Sequence, residues 1–403
     1  MRRMFGKKIK ERVYLDWAAA TPLLSEVKTA MEPFLSSEFG NASAIHKEGA
    51  TARRAVESAR ESVARAFQIR PEFVTFTSGG TEANNIAIVG LIEELHLTGL
   101  KYEEMEVVTT RIEHPSVLKT MEQLERLGVQ VNYIGVSEVG KIVLSELKKT
   151  LSEHTVLVSC AYANSEIGVV QSLRGIRKII REAEEKFSTK IFFHVDAAQA
   201  PLWLNCQFDS TGADFLALDS SKCCGPKGVG VLLQSRRAKL LPVTFGGGQE
   251  SGLRPGTENV AGIVGAGVAF SKATERQSHR AEKVQAVRDA GIKILLETIP
   301  KAVLNGPTGA ERVANNINIS IPGLDTEFAT VVLDKHGFAV STKSACSGAG
   351  GGESMVVKEI SGDPARALST LRITIGPLTT VEQIKSLAVI LKSHIDKMST
   401  YSN

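Results

Sequence analysis

The chain reads as an α/β protein in two parts: a large domain, residues 17–262, with a mainly parallel sheet flanked by helices, and a smaller α+β domain, residues 1–16 and 263–403. Three observations predict this. Short apolar runs alternate with helix-like stretches from VTFTS at Val74 to GVGVLLQ ending at Gln234, the rhythm of a parallel sheet buried between two helical layers. Near Gly262 the rhythm gives way to fewer strands and longer helices. At 403 residues, 43% hydrophobic and 23% charged, the chain is soluble in character and too long for one ordinary core.

A basic start (Arg2, Arg3, Lys7, Lys8, Lys10, Arg12) reads as a solvated tail, and VYLDWAAATP as a short extended segment ending at Pro22. From Ile45 to Phe67, apolar and small residues recur at helical spacing among Arg and Glu, which predicts an amphipathic helix. VTFTS then leads into a helix from Thr81, and MEVVTT into a helix after Pro115. The segments VNYIGV, VLVSCAYAN, KIFFHVDAA, DFLALDS and GVGVLLQ supply further strands. Beyond Gly262 the pattern predicts one long polar helix to about Leu296, then NNINISIP, a helix near Glu327–His336, FAVST, a helix near Pro364–Ser369, LRITIG and a final helix from Thr380.

Composition excludes several classes. A net charge of +4 from 48 basic and 44 acidic side chains gives no nucleic-acid surface. No apolar h-region follows the N-terminal charges and no run approaches the roughly 20 apolar residues of a membrane span, so a cytoplasmic location with no membrane contact is expected. Five cysteines form neither a disulfide framework nor a CxxC metal pattern, so no metal site is expected. The absence of a GxxxxGK[ST] loop argues against a nucleoside triphosphatase.

Three islands carry chemistry. HVDAAQ places Asp196 at the end of an apolar strand and Gln199 just beyond it, and SSKCCGPKGVG puts Lys222 on a Gly-rich turn after another strand. A buried carboxylate followed by a turn lysine at a sheet edge suits pyridoxal phosphate, with the aspartate on the pyridinium nitrogen and the lysine as its Schiff-base partner. Alone, Lys222 reads more readily as a surface turn lysine, and Asp196 has a helix N-cap as its lesser alternative. FTSGGTEANN is strand, Gly-Gly, helix, and its free N–H groups suit a phosphate. His114, in RIEHPSV, faces the same edge, where an imidazole could stack on a ring and move protons, although a histidine at a helix start is often structural. In STKSACSGAGGGES, Cys346 lies on a loop too Gly-rich for helix or strand and is a thiolate candidate; the bland alternative is a linker. Cys223 and Cys224 read as packing residues on the Lys222 turn.

In order, YLDWAAATP, FGNASAIH, SGGTEANN, EHPSV, ANSEIGVVQ, HVDAAQ, SKCCGPKGVG, FGGGQESGLRPGTEN, SACSG and LRITIG span nearly the whole chain. So ordered, they resemble the cysteine desulfurase family of pyridoxal phosphate enzymes, class-V aminotransferase-like proteins of the aspartate aminotransferase fold (fold type I). The resemblance implies that Lys222 binds the cofactor covalently, Asp196 holds the pyridinium, His114 stacks on the ring, Gln199 contacts the ring hydroxyl, and Asn164 lies beside cofactor and substrate. Gly80 and Thr81 would hold the phosphate, and Thr257 would reach the phosphate of a neighbouring subunit, which implies a homodimer. Asn41 and Arg372 match positions expected to hold the substrate carboxylate, and a mobile loop at about 341–356 would carry Cys346.

Two departures bear on the phosphate. Ser221 stands where histidine is common, and Asp219 where a phosphate-binding serine is often found, which leaves Ser220 and Ser221 as phosphate candidates. The implied reaction converts L-cysteine to L-alanine, with the sulfur captured as a persulfide on Cys346 and passed to an acceptor or scaffold protein for iron–sulfur assembly or tRNA thiolation. The alternatives are a selenocysteine lyase, a cysteine sulfinate desulfinase, or a pyridoxal-binding assembly partner without turnover.

Overall fold

A computed structural model describes residues 3–4, 7–8, 12–342 and 352–401. Seven strands form the main sheet: β1 (Val74–Thr77), β2 (Glu106–Thr110), β3 (Gln130–Ile134), β4 (Thr155–Ala161), β5 (Phe192–Asp196), β6 (Phe215–Asp219) and β7 (Gly230–Gln234). Their order is β1-β7-β6-β5-β4-β2-β3. Only β7 runs against the rest, pairing antiparallel with both β1 and β6. The six remaining strands therefore end at one edge. β5 is buried at every position, as expected of a central strand covered on both faces.

Helix α1 (Lys47–Phe67) buries Gly49, Ala52, Val56, Ala59, Val63 and Phe67, a stripe at the three-to-four-residue spacing that the sequence predicts. α2 (Gly80–Leu97) follows β1, and α3 (Pro115–Leu127) follows β2. Proline at the first position of α3 loses no useful N–H there, and His114 caps the helix by accepting from Ser116 N.

The single helix expected from Gly262 to about Leu296 is instead two, α4 (Val260–Thr274) and α5 (Gln277–Thr298). The chain turns between them at Arg276, which takes a left-handed φ of +49°. Composition explains the division: α4 is apolar and buried on nearly every side, packed on α1, whereas α5 is polar and packs on the last helix, α6 (Val381–Tyr401). Close packing of α4 needs its glycines, since a Cβ on Gly267 would lie 3.0 Å from Ala59 Cα.

A three-stranded antiparallel sheet makes the smaller layer, in the order β8 (Val303–Leu304), β9 (Asn316–Ser320), β10 (Thr370–Thr374). Residues 13–16 return to this layer: Val13–Tyr14 pair in parallel with Phe338–Ala339, and Asp16 bridges to Thr374. No helix among the described residues is long and apolar enough to cross a membrane.

Candidate active site

A cavity of about 190 Å³ opens where β1, β2, β4, β5 and β6 end, closed on its far side by Arg372 from β10. This carboxyl edge is where α/β sheets bind ligands, because chain segments diverge there and helix N-termini converge. Gly80, Thr81, His114, Asn164, Asp196, Gln199, Lys222 and Arg372 all line it. Stretches far apart in the sequence thus meet at one wall.

Asp196, the last residue of β5, is 8% exposed; Oδ1 accepts from Ala198 N at 3.0 Å and Oδ2 from Asn84 Nδ2 at 2.9 Å. Among the described residues it has no cationic partner within 4 Å. Lys222 closes a 3₁₀ turn directly after β6, and its Nζ donates to Ala19 O across the cavity mouth. Lys227, in the same motif, is exposed. Asn164 Oδ1 accepts from Glu166 N and Ile167 N, both at 2.9 Å, and Nδ2 donates to Ile112 O at 2.8 Å, so its amide is locked in orientation. Gln199 Nε2 donates to Ala18 O at 2.9 Å.

At the other end, α2 begins at Gly79–Gly80 with no side chain capping its first N–H groups. The turn is held tightly against β7, since a Cβ on Gly230 would lie 2.4 Å from the Gly79 carbonyl carbon. Asp219 shares this end: its Oδ2 would lie 3.7 Å from a Cβ on Gly80, while Oδ1 accepts from Ser221 N.

Four predicted residues do not line the cavity. Ser220 is fully buried and its hydroxyl donates to Pro226 O, and Ser221 is turned so that its carbonyl accepts from Thr21. The Asp219 carboxylate, rather than either serine, faces the Gly79–Gly80 turn. Asn41 is exposed and caps Ser43 N, and Thr257 is exposed in a separate depression with Arg254 and Phe245. Cys346 lies outside the described residues. The other four cysteines are buried and unpaired, and burial pushes the thiols of Cys160, Cys206 and Cys223 up, away from nucleophilic thiolate.

Two acidic wall residues, and a third acid behind the wall, are not anticipated from the sequence. Glu113, beside His114, is 5% exposed, and burial pushes its carboxyl up to about 8. Glu166 accepts a hydrogen bond from Ser354 Oγ, the cap of the helix Met355–Ser361. Asp16 pairs with Arg372 Nη2 at 3.0 Å. Arg372 Nη1 donates to Ser165 O at 3.1 Å, and its buried Nε has no partner among the described residues.

Residues 13–387 match the family described as Aminotransferase class-V. The chain belongs to that family. Across 98% of its length it is 38% identical to the cysteine desulfurase IscS of Dictyoglomus turgidum, covering 97% of that protein. It is 38% identical to the cysteine desulfurase IscS of Neisseria gonorrhoeae over 98% of this chain and 95% of that one. Among solved structures, a NifS-like protein superposes with a TM-score of 0.87 at 30% identity, covering 96% of this chain and 99% of that one. The NifS-like protein of Rickettsia africae ESF-5 gives 0.83 at 26% identity, over 96% and 100%. The class-V aminotransferase fold expected from the sequence is thus the one observed, with its polar cavity at the expected sheet edge.

Proposed function

We propose that this class-V aminotransferase is a pyridoxal phosphate-dependent cysteine desulfurase, converting L-cysteine to L-alanine and loading the sulfur on Cys346. The observation that carries the reading is Asp196. A buried carboxylate with two donors and no cation within 4 Å among the described residues calls for a cationic ligand atom, and a protonated pyridine nitrogen is one. The rest of the wall fits the same ligand: Lys222 for covalent attachment, His114 against the ring, Gln199 and Asn164 beside it, and the uncapped start of α2 at Gly80 and Thr81 for the phosphate. Asp219 is the one group that opposes the fit.

Bound there, pyridoxal phosphate supplies an electron sink for negative charge at the substrate Cα. The chain's own groups do the remainder. Arg372, which lines the cavity with its planar guanidinium fixed by Asp16 and Ser165, offers its positive charge to the substrate carboxylate. The Lys222 amine takes the Cα proton. The Cys346 thiolate then forms an S–S bond to the substrate sulfur while the Cβ–S bond breaks; carbon keeps the electron pair and is protonated to give alanine. Thr257, exposed and outside the cavity, serves the phosphate of a second copy in a homodimer, and an acceptor or iron–sulfur scaffold protein takes the sulfur.

The test is alanine release from L-cysteine, with a reductant and added pyridoxal phosphate, by the parent and by Cys346→Ala. Alanine from the parent and almost none from the variant is expected. Equal rates would remove Cys346 from the reaction and favour selenocysteine or cysteine sulfinate as substrate; no alanine from either would overturn turnover.

A further inference from the structure

From the cavity wall inward runs a chain of hydrogen bonds through Asn84, Ser116 and His194, residues that the proposed reaction does not use. Asn84 is 1% exposed and stands one helical turn after Gly80 on α2. Its Nδ2 donates to Asp196 Oδ2 and to Ser116 Oγ, both at 2.9 Å, and its Oδ1 lies 3.1 Å from His194 Nε2. His194, fully buried on β5, continues to Ser159 Oγ at 2.8 Å. On the other branch Ser116 Oγ lies 2.8 Å from His114 Nδ1, which also receives Ser116 N at 3.1 Å.

The proton positions follow from valence. An ionised Asp196 can only accept, so the Asn84 amide must turn its N–H groups toward it and toward Ser116. Asn84 Oδ1 then accepts, which puts the His194 proton on Nε2 and makes Nδ1 the acceptor for Ser159. Burial lowers His194 to about 4, which keeps this ring neutral. Ser116 Oγ, having accepted from Asn84, gives its own proton to His114 Nδ1. With two donors on Nδ1, the neutral His114 ring carries its proton on Nε2.

We infer that Asn84 is a positioning residue that ties the Asp196 carboxylate and the His114 ring into one polarised array, with His194 fixing the direction of its amide. This rests on the pyridoxal phosphate reading for its consequence, although the array itself stands without the cofactor. Replacing Asn84 with leucine, similar in size and unable to donate, leaves Asp196 Oδ2 and Ser116 Oγ without that partner, so the Ser116 hydroxyl is no longer constrained to point its proton at His114 Nδ1, which keeps the Ser116 N donor.

The experiment takes the parent and Asn84→Leu, each with thermal unfolding as a control for folding. On cofactor-free protein, 15N spectra of labelled histidine, assigned with His114→Ala and His194→Gln, should show both rings as fixed Nε2–H tautomers in the parent and a displaced His114 Nδ1 resonance in the variant. Fluorescence titration with pyridoxal phosphate should show ~10- to 100-fold weaker binding by the variant, with a shifted pH midpoint for the bound absorption band. A folded variant with the parent's His114 Nδ1 resonance and the parent's affinity would overturn the inference. A parent that binds no pyridoxal phosphate yet shows both fixed tautomers would overturn the functional reading and leave the array standing. If Asn84→Leu does not fold, Asn84→Asp, which turns a second carboxylate toward Asp196, must weaken binding at least as much, and an unchanged affinity there would again refute the role.

Discussion

Thr110 Oγ1 donates a 2.6 Å hydrogen bond to Glu113 Oε1, while Glu113 Oε2 is buried with no hydrogen-bond partner among the described residues. Burial, with the Asp196 charge adding to it, outweighs that bond and raises the carboxyl to about 8. At neutral pH the cavity wall therefore holds Glu113 as a neutral acid beside Asp196.

Stability should report this. Unfolded Glu113 ionises near its ordinary value of 4.5, and the folded carboxyl near 8. Between those values the folded state holds more protons, so this residue makes the protein less stable as pH rises, with no further loss above about 8. Glu113→Gln removes the effect: its stability relative to the parent should climb across pH 5–8 and level off, by a few kcal/mol at most, at ~1.4 kcal/mol per pH unit. Denaturant unfolding of the cofactor-free proteins at several pH values checks this, and a constant difference would show that Glu113 ionises normally.

Asp219 sets a carboxylate against the turn proposed for the phosphate. Asp219→Ser keeps an oxygen to accept from Ser221 N and removes the charge, so pyridoxal phosphate should bind the variant ~3- to 30-fold tighter. Equilibrium titration decides it; equal or weaker binding would mean that the carboxylate does not meet the phosphate.

Arg372→Lys should separate binding from chemistry. Lysine supplies charge but no planar fork to hold Asp16, Ser165 and a substrate carboxylate together, so KM for L-cysteine should rise ~10- to 100-fold with a smaller change in kcat. An unchanged KM would place the substrate carboxylate elsewhere.

Away from the cavity, Glu250 accepts from Arg60 Nη1, Arg60 Nη2 and Phe76 N, each at 2.8 Å, and so covers the open edge of β1. Glu250→Ala leaves the nearly buried Arg60 guanidinium with only Glu57 and Val74 O as partners and a strand N–H without its acceptor, and should cost ~1–3 kcal/mol in denaturant unfolding. A loss under 1 kcal/mol would show that water replaces the carboxylate.

The parts of this structure legible in the sequence were those written in local pattern. Apolar runs such as FFHVD and FLALD give β5 and β6, and because a ligand edge lies at strand ends, Asp196 and Lys222 could be placed there before any contact was known. The break at Arg276 was not legible, because Lys, Glu and Arg continue through it and only the change of packing partner divides the helix. Asp219 and Ser220 are adjacent, and which of them faces the cavity depends on how the 3₁₀ turn leaves β6. Glu113 and Asn84 sit inside motifs that were recognised, RIEHPSV and SGGTEANN, yet their roles arise from burial against β4 and β5, which no local spacing encodes. The side chain of Asn84, one turn from Gly80 on the same helix face, was the nearest to a readable signal.

The Asp16–Arg372 pair joins residues 356 positions apart. A ribosome adding roughly 5–20 residues per second makes Arg372 on the order of 20–70 s after Asp16. β7 ends at Gln234, 138 positions before Arg372, so for only the last ~7–28 s of that interval can β1 through β7 assemble with Asp196 and Lys222 in place, while the wall proposed to hold a substrate carboxylate has not yet been synthesised. A nascent chain can thus present the proposed cofactor site before it has the proposed substrate site, and cofactor capture during translation would precede any competence for turnover.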